Sequence, residues 1–191
     1  MPSTSSSRLA PRTSLALAAA FVGICAAGCA GRSWECSEFT PVKGTPRAQG
    51  TLRIHYSGGI GTLRSGGVPM FVKSESERSV YLSGCVDDPD VDGMWDVDVS
   101  ASVPEGTALP AAFGSDETSP RVMVRLYRHQ DGEPERHAEF DATEDVEVSG
   151  SLVRFDQQSK ALEFDATLTK LCAGDCRSER SEVEIAARLS W

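Results

Sequence analysis

Trp95-Asp96-Val97-Asp98-Val99-Ser100-Ala101-Ser102-Val103 decides the fold. Its odd positions are apolar and its even positions are aspartate or serine. A repeat of two is the mark of a strand with one dry and one wet face, because successive Cβ atoms point to opposite sides of a pleated backbone. The same alternation returns in Leu162, Phe164, Ala166 and Leu168, and again in Val183, Ile185, Ala187 and Leu189. By composition the last segment would suit a helix, but it has no apolar stripe at spacings of three and four, so alternation governs. Shorter candidates are 50–56 (Leu52, Ile54, Tyr56), 68–73, 79–83, 121–128 (Val122, Val124, Leu126), 136–141 and 145–155, bringing the count to about nine. Gly150 is expected to mark a bulge that changes the buried face before Phe155.

Between these runs stand turn-forming residues: Gln130-Asp131-Gly132-Glu133, Asp156-Gln157-Gln158-Ser159 and Ala173-Gly174-Asp175. Asp, Asn and Gly tolerate the backbone angles of tight hairpins. About nine short strands with wet outer faces predict an all-β domain, an antiparallel β-sandwich, with a small closed β-barrel as the alternative. Asp, Glu and Arg on the outward positions exclude a transmembrane barrel, whose lipid face must be apolar. The 17 residues from Pro104 to Pro120 exceed an ordinary connection and read as a functional or floppy loop. The glycine clusters Ser57-Gly58-Gly59-Ile60-Gly61 and Ser65-Gly66-Gly67 precede strand-like rather than helical sequence, so they read as flexible hairpin loops and not as phosphate cradles. Trp191 reads as a core plug or strand end.

The N-terminus has a different character. Arg8 and Arg12 precede an apolar run from Leu15 to Ala27, the order of charge and hydrophobicity in a secretory signal, and too short to span a bilayer. At its end, Ala26-Ala27-Gly28-Cys29 resembles the bacterial lipobox over those four residues, with Ala26 where Leu is commonest. The resemblance implies cleavage before Cys29 and acylation of its thiol. Two or more acyl chains, at ~0.8 kcal/mol per buried CH₂, would hold the chain at a membrane essentially permanently. The competing reading is ordinary secretion with cleavage near Ala30. Residues 1–28 are then the signal, 29–35 a short tether and 36–191 a single domain, outside the cytoplasm on a bacterial envelope. Ala30 after the lipidated cysteine implies the outer membrane by the enteric sorting pattern.

Removing the first 28 residues takes two arginines and no acid, moving the formal charge from −9 to −11 and leaving 163 residues. No Lys or Arg run is available to release counterions from a phosphate backbone, which argues against a nucleic-acid role. Cys36, Cys85, Cys172 and Cys176 remain, an even number in an oxidising compartment. Three pairings are open, and Cys36 with Cys85 and Cys172 with Cys176 is preferred.

Asp88-Pro89-Asp90-Val91-Asp92-Gly93 resembles the first half of an EF-hand loop, with carboxylates at alternate positions before a glycine. Asp88, Asp90 and Asp92 are thus candidate calcium ligands, although Val99 stands where the family has its bidentate glutamate, and turn chemistry alone explains the same residues. His129 and His137 flank a hairpin without facing each other and read as surface histidines. There is no GxSxG, HExxH or P-loop pattern. The sequence therefore names no catalytic residue. It points to a non-enzymatic module that binds an envelope protein or a glycan, with a tethered hydrolase or calcium-binding protein using the acidic loop 87–98 as the alternative. An enzyme should place Asp88, Asp92 or a histidine on a concave site.

Overall fold

The computed structural model describes residue 36 and residues 44–88, 93–130, 133–141, 146–171 and 180–191. Cys29, Asp90, Asp92, Cys172 and Cys176 lie outside the described residues. The described residues form eleven strands: β1 (Arg47–Gly58), β2 (Gly61–Ser65), β3 (Met70–Ser76), β4 (Ser79–Asp87), β5 (Gly93–Ser102), β6 (Ala111–Ala112), β7 (Arg121–Gln130), β8 (Glu133–Asp141), β9 (Val146–Asp156), β10 (Ala161–Leu171) and β11 (Arg180–Ser190). All nine expected strands are present. The two additions are β2, inside the glycine-flanked patch, and the two-residue β6 inside the 104–120 loop.

The domain is all-β and antiparallel, but it is not two separate sheets of about nine strands. One sheet runs β6-β9-β10-β11-β1-β3-β4-β5-β7-β8, with β2 beside β1, and it curls into a half-barrel. The continuity has a local cause. β1 pairs with β11 from Gln49 to Ser57, whereas its first residues, Arg47 and Ala48, pair with Phe71 and Met70 of β3. Gly50 sits at this junction with φ +111°, and a Cβ there would lie 2.1 Å from the Arg188 carbonyl oxygen. Only glycine lets the strand pass from one set of partners to the other this closely.

The curl encloses one apolar core. Trp95, Val97, Val99 and Ala101, the dry face of the deciding stretch, are each at most 1% exposed. The Tyr56 ring lies 5.8 Å from Trp95 and 6.0 Å from Phe140, so β1 meets β5 and β8 across the interior. Each such side chain, fully buried, contributes about 1.5–3 kcal/mol of transfer free energy. β8 also comes within 8 Å of β10 between Cα atoms.

Two details of the sequence reading change. The parity shift in β9 occurs, yet not at Gly150. Glu163 pairs with Arg154 and Phe164 with Leu152, so Val153 is the extra residue and stands exposed while Leu152 and Phe155 both turn inward. Gly150 has φ +112° and lies against the Asp165 carbonyl, a close approach rather than a bulge. The 104–120 segment is anchored, not floppy. Phe113 is buried edge-on against Phe164 at 5.8 Å, Ala111 and Ala112 pair with β9, and Asp116 accepts hydrogen bonds from Thr118 and Ser119. Trp191 follows the last strand, packs against the core and donates its indole N–H to Glu75.

Candidate functional site

The pairing of Gly93 with Gln130 sets the β4–β5 and β7–β8 hairpins side by side, and the β1–β2 and β10–β11 hairpins share this end of the curl. Asp88 is at this end, and its position bears directly on the acidic-loop reading. Its side chain is 0% exposed. Oδ2 accepts the Trp95 indole N–H at 2.9 Å and the Arg128 Nε–H at 2.7 Å. Arg128 also donates Nη1–H to the Ile60 carbonyl at 3.1 Å and places its guanidinium 5.3 Å from the Trp95 ring centre. β7 directs Val122, Val124, Leu126 and Arg128 inward, so this arginine is the polar end of an otherwise apolar row. Asp88 is thus the counter-ion of a buried arginine. Among the described residues no group of three or more His, Cys, Asp or Glu is placed to hold a metal ion.

Cys36 and Cys85 are disulfide-bonded, as preferred from the sequence, with the Cys36 amide also donating to Asp87 Oδ1 at 2.8 Å. The segment that follows Cys29 therefore joins the domain one residue from Asp88.

The outer face of β5 is only partly wet, with Asp96, Ser100 and Ser102 half-buried. It lies in the middle of β3, β4, β5, β7 and β8, where long neighbours cover Asp98, leaving its side chain 8% exposed. Lys73 Nζ approaches Asp98 Oδ1 at 3.2 Å, and the Tyr81 hydroxyl donates to Oδ2. Burial, followed by that bond to Asp98, pushes the Tyr81 hydroxyl well above its ordinary range. Next along β5, Asp96 Oδ2 lies 3.1 Å from His129 Nε2, while Oδ1 is buried without a partner among the described residues. His129 is 12% exposed in its side chain and so is no surface histidine, contrary to the sequence reading. His137 is exposed and stacks on Tyr127 with ring centres 5.7 Å apart, and the register pairs it with Tyr127, not His129.

Burial raises the Asp96 carboxyl above its ordinary range, Asp98 adds to that, and His129 and Lys73 act against it. The folded state then keeps this proton to higher pH than the unfolded chain does. Stability from Asp96 is therefore present below the ordinary carboxyl range and is lost as pH rises through its titration. Asp96→Asn removes that slope, so the variant is expected to gain on the wild type as pH rises above the ordinary carboxyl range. Urea midpoints of both chains at stepped pH check this, and parallel curves would refute it.

On the opposite wall an open groove of ≈ 480 Å³ crosses the outer faces of β1, β2, β9, β10 and β11. It carries Arg53, His55, Arg64, Asp165 and Glu184, both signs together, with His55 Nδ1 3.7 Å from Glu184 and both side chains more than half exposed. It is a solvated polar surface without a positioned nucleophile and base.

Comparison with protein-family models, with curated proteins and with solved structures gives no match for this chain. The reading of function rests on the residues themselves.

Proposed function

We propose that this chain is a lipid-anchored extracytoplasmic module that binds another envelope component and performs no chemistry of its own. The observation that carries the reading is the disulfide between Cys36 and Cys85, only seven residues beyond Cys29. A persistent disulfide belongs to an oxidising compartment, and the apolar run ending in Ala26-Ala27-Gly28-Cys29 supplies both the export signal and the attachment point. Palmitate on Cys29 fixes the domain within ~25 Å of the lipid surface, since seven extended residues span no more. We read the two walls of the curl as a β-sandwich joined at one corner by β1, a rigid support for the loops at its ends. The burial of Asp88 against Arg128 favours binding over hydrolysis, because one of the aspartates a hydrolase would use is sealed from solvent.

Growth of cells expressing the chain on labelled palmitate tests the anchor. The label is expected in the protein, lost in Cys29→Ser, and the precursor is expected to accumulate under globomycin. An unlabelled product whose size is indifferent to globomycin would overturn the proposal.

A further inference from the structure

We infer that the hairpin end of the curl carries a binding site for a phosphate-bearing anion, built from Arg128, Arg136, Arg180 and Lys170 around the Gly58–Gly61 turn. Two adjoining cavities meet at this turn. One, of ≈ 560 Å³, is lined by the glycines and by the three arginines, which come from β7, β8 and β11. The other, of ≈ 300 Å³, shares Gly59 and Ile60 and adds Tyr56, His137, Lys170 and Ser181. In a chain of formal charge −9, four permanent cations from four strands converge on one hairpin. Guanidinium groups in a fixed fork suit phosphate oxygens in both charge and shape.

The glycines are part of the construction. A Cβ on Gly58 would lie 2.4 Å from the Tyr56 hydroxyl and 2.5 Å from Ser181 Oγ, and one on Gly61 would lie 2.6 Å from Arg128 Nη1. Polar tips occupy the space where side chains would stand, so a larger residue at either turn position would displace them. Arg128 is held ready by Asp88, by the Ile60 carbonyl and by the Trp95 ring, while its Nη2 makes no hydrogen bond among the described residues. Arg180 spends Nη2 on Glu182 and Thr169, leaving Nε and Nη1 without a hydrogen bond in the same sense. Both a soluble phosphate ester and a lipid headgroup present this chemistry. The lipid source rests on the acyl anchor proposed above, which would hold this end near the bilayer because Cys36 joins the domain beside Asp88. The phosphate chemistry does not rest on it.

The test uses the full chain carrying Cys29→Ser, so that no acyl group contributes. Its binding is measured by calorimetric titration with glycerol 3-phosphate and by flotation with phosphatidylcholine vesicles with and without phosphatidylglycerol, all at low salt. At least one probe is expected to bind, and Arg136→Gln with Lys170→Gln, both exposed positions, is expected to weaken it at least about tenfold. Removing the same charge at the far end, by Arg78→Gln with Arg121→Gln, is expected to leave it within about twofold. Binding of glycerol 3-phosphate without vesicles identifies a soluble ligand, and binding that needs phosphatidylglycerol identifies the lipid. Failure of both probes, or equal losses in the two double variants, overturns the site while leaving the palmitate result untouched.

Discussion

Asp88→Ala is expected to lower the unfolding free energy by about 3–5 kcal/mol, the cost of stranding one member of a buried ion pair. The Asp88 side chain is fully enclosed, so its removal leaves the inward-facing Arg128 Nε–H without a carboxylate. The Trp95 indole N–H loses its acceptor in the same step. Asp88→Asn keeps an oxygen for Trp95 but not the charge for Arg128, and belongs between the two. The informative partner is Asp88→Leu with Arg128→Met, which removes both charges and is expected to recover most of the loss, since a well-packed apolar pair often equals a buried ionic one. Urea unfolding with an unchanged m-value measures all three. A loss under 1 kcal/mol for Asp88→Ala would mean that water reaches this end of the core.

Loss of the Cys36–Cys85 bond ranks next. The cysteines are 49 residues apart, and on the chain-entropy model closing such a loop removes ~4 kcal/mol of freedom from the unfolded chain. Cys36→Ser with Cys85→Ser should therefore unfold at markedly lower denaturant, and the wild type in dithiothreitol should fall to the same midpoint. Cys85 is buried on the outer face of β4 next to Met94, with the two sulfurs 3.6 Å apart, so the serine variant also places a hydroxyl in an apolar spot. Reduction of the native chain avoids that complication. Identical midpoints with and without reductant would refute the prediction.

Strand positions were legible because burial is periodic. Leu162 to Leu168 and Val183 to Leu189 alternate cleanly, and β10 and β11 fall on them. β6 was not legible, since two alanines carry no period and form a strand only because β9 offers an edge at Leu152 and Ser151. β2 was hidden for a related reason: Gly61-Thr62-Leu63-Arg64-Ser65 has one apolar residue, and what makes it a strand is the return path along β1. Alternation in β5 reports which side faces the core, and not whether neighbouring side chains cover a residue such as Asp98 on the other side. Asp98 is buried by Lys73 and Tyr81, which are distant in sequence.

The arginine end was equally invisible. Arg128, Arg136 and Arg180 form no motif, and Arg180 reaches the others only through the pairing of β11 with β10 and β1. Asp88 stands out in the sequence, but for a chemistry that spacing alone does not decide. A carboxylate at a turn has the same local pattern whether it faces a cation in solution or an arginine forty residues later.

β1 is the second strand of neither wall and the seam of both, and its main partner is the final strand of the chain. A ribosome delivers β1 long before β11 exists. Until β11 arrives, Gln49 to Ser57 present an unzipped edge with apolar Leu52, Ile54 and Tyr56, while β3, β4, β5, β7 and β8 can already pair with one another in that order. Such dependence on distant partners slows the search for the native topology and exposes sticky intermediates. Truncating even the last strand should therefore cost this protein more than its length suggests, because it would leave the seam without its thread.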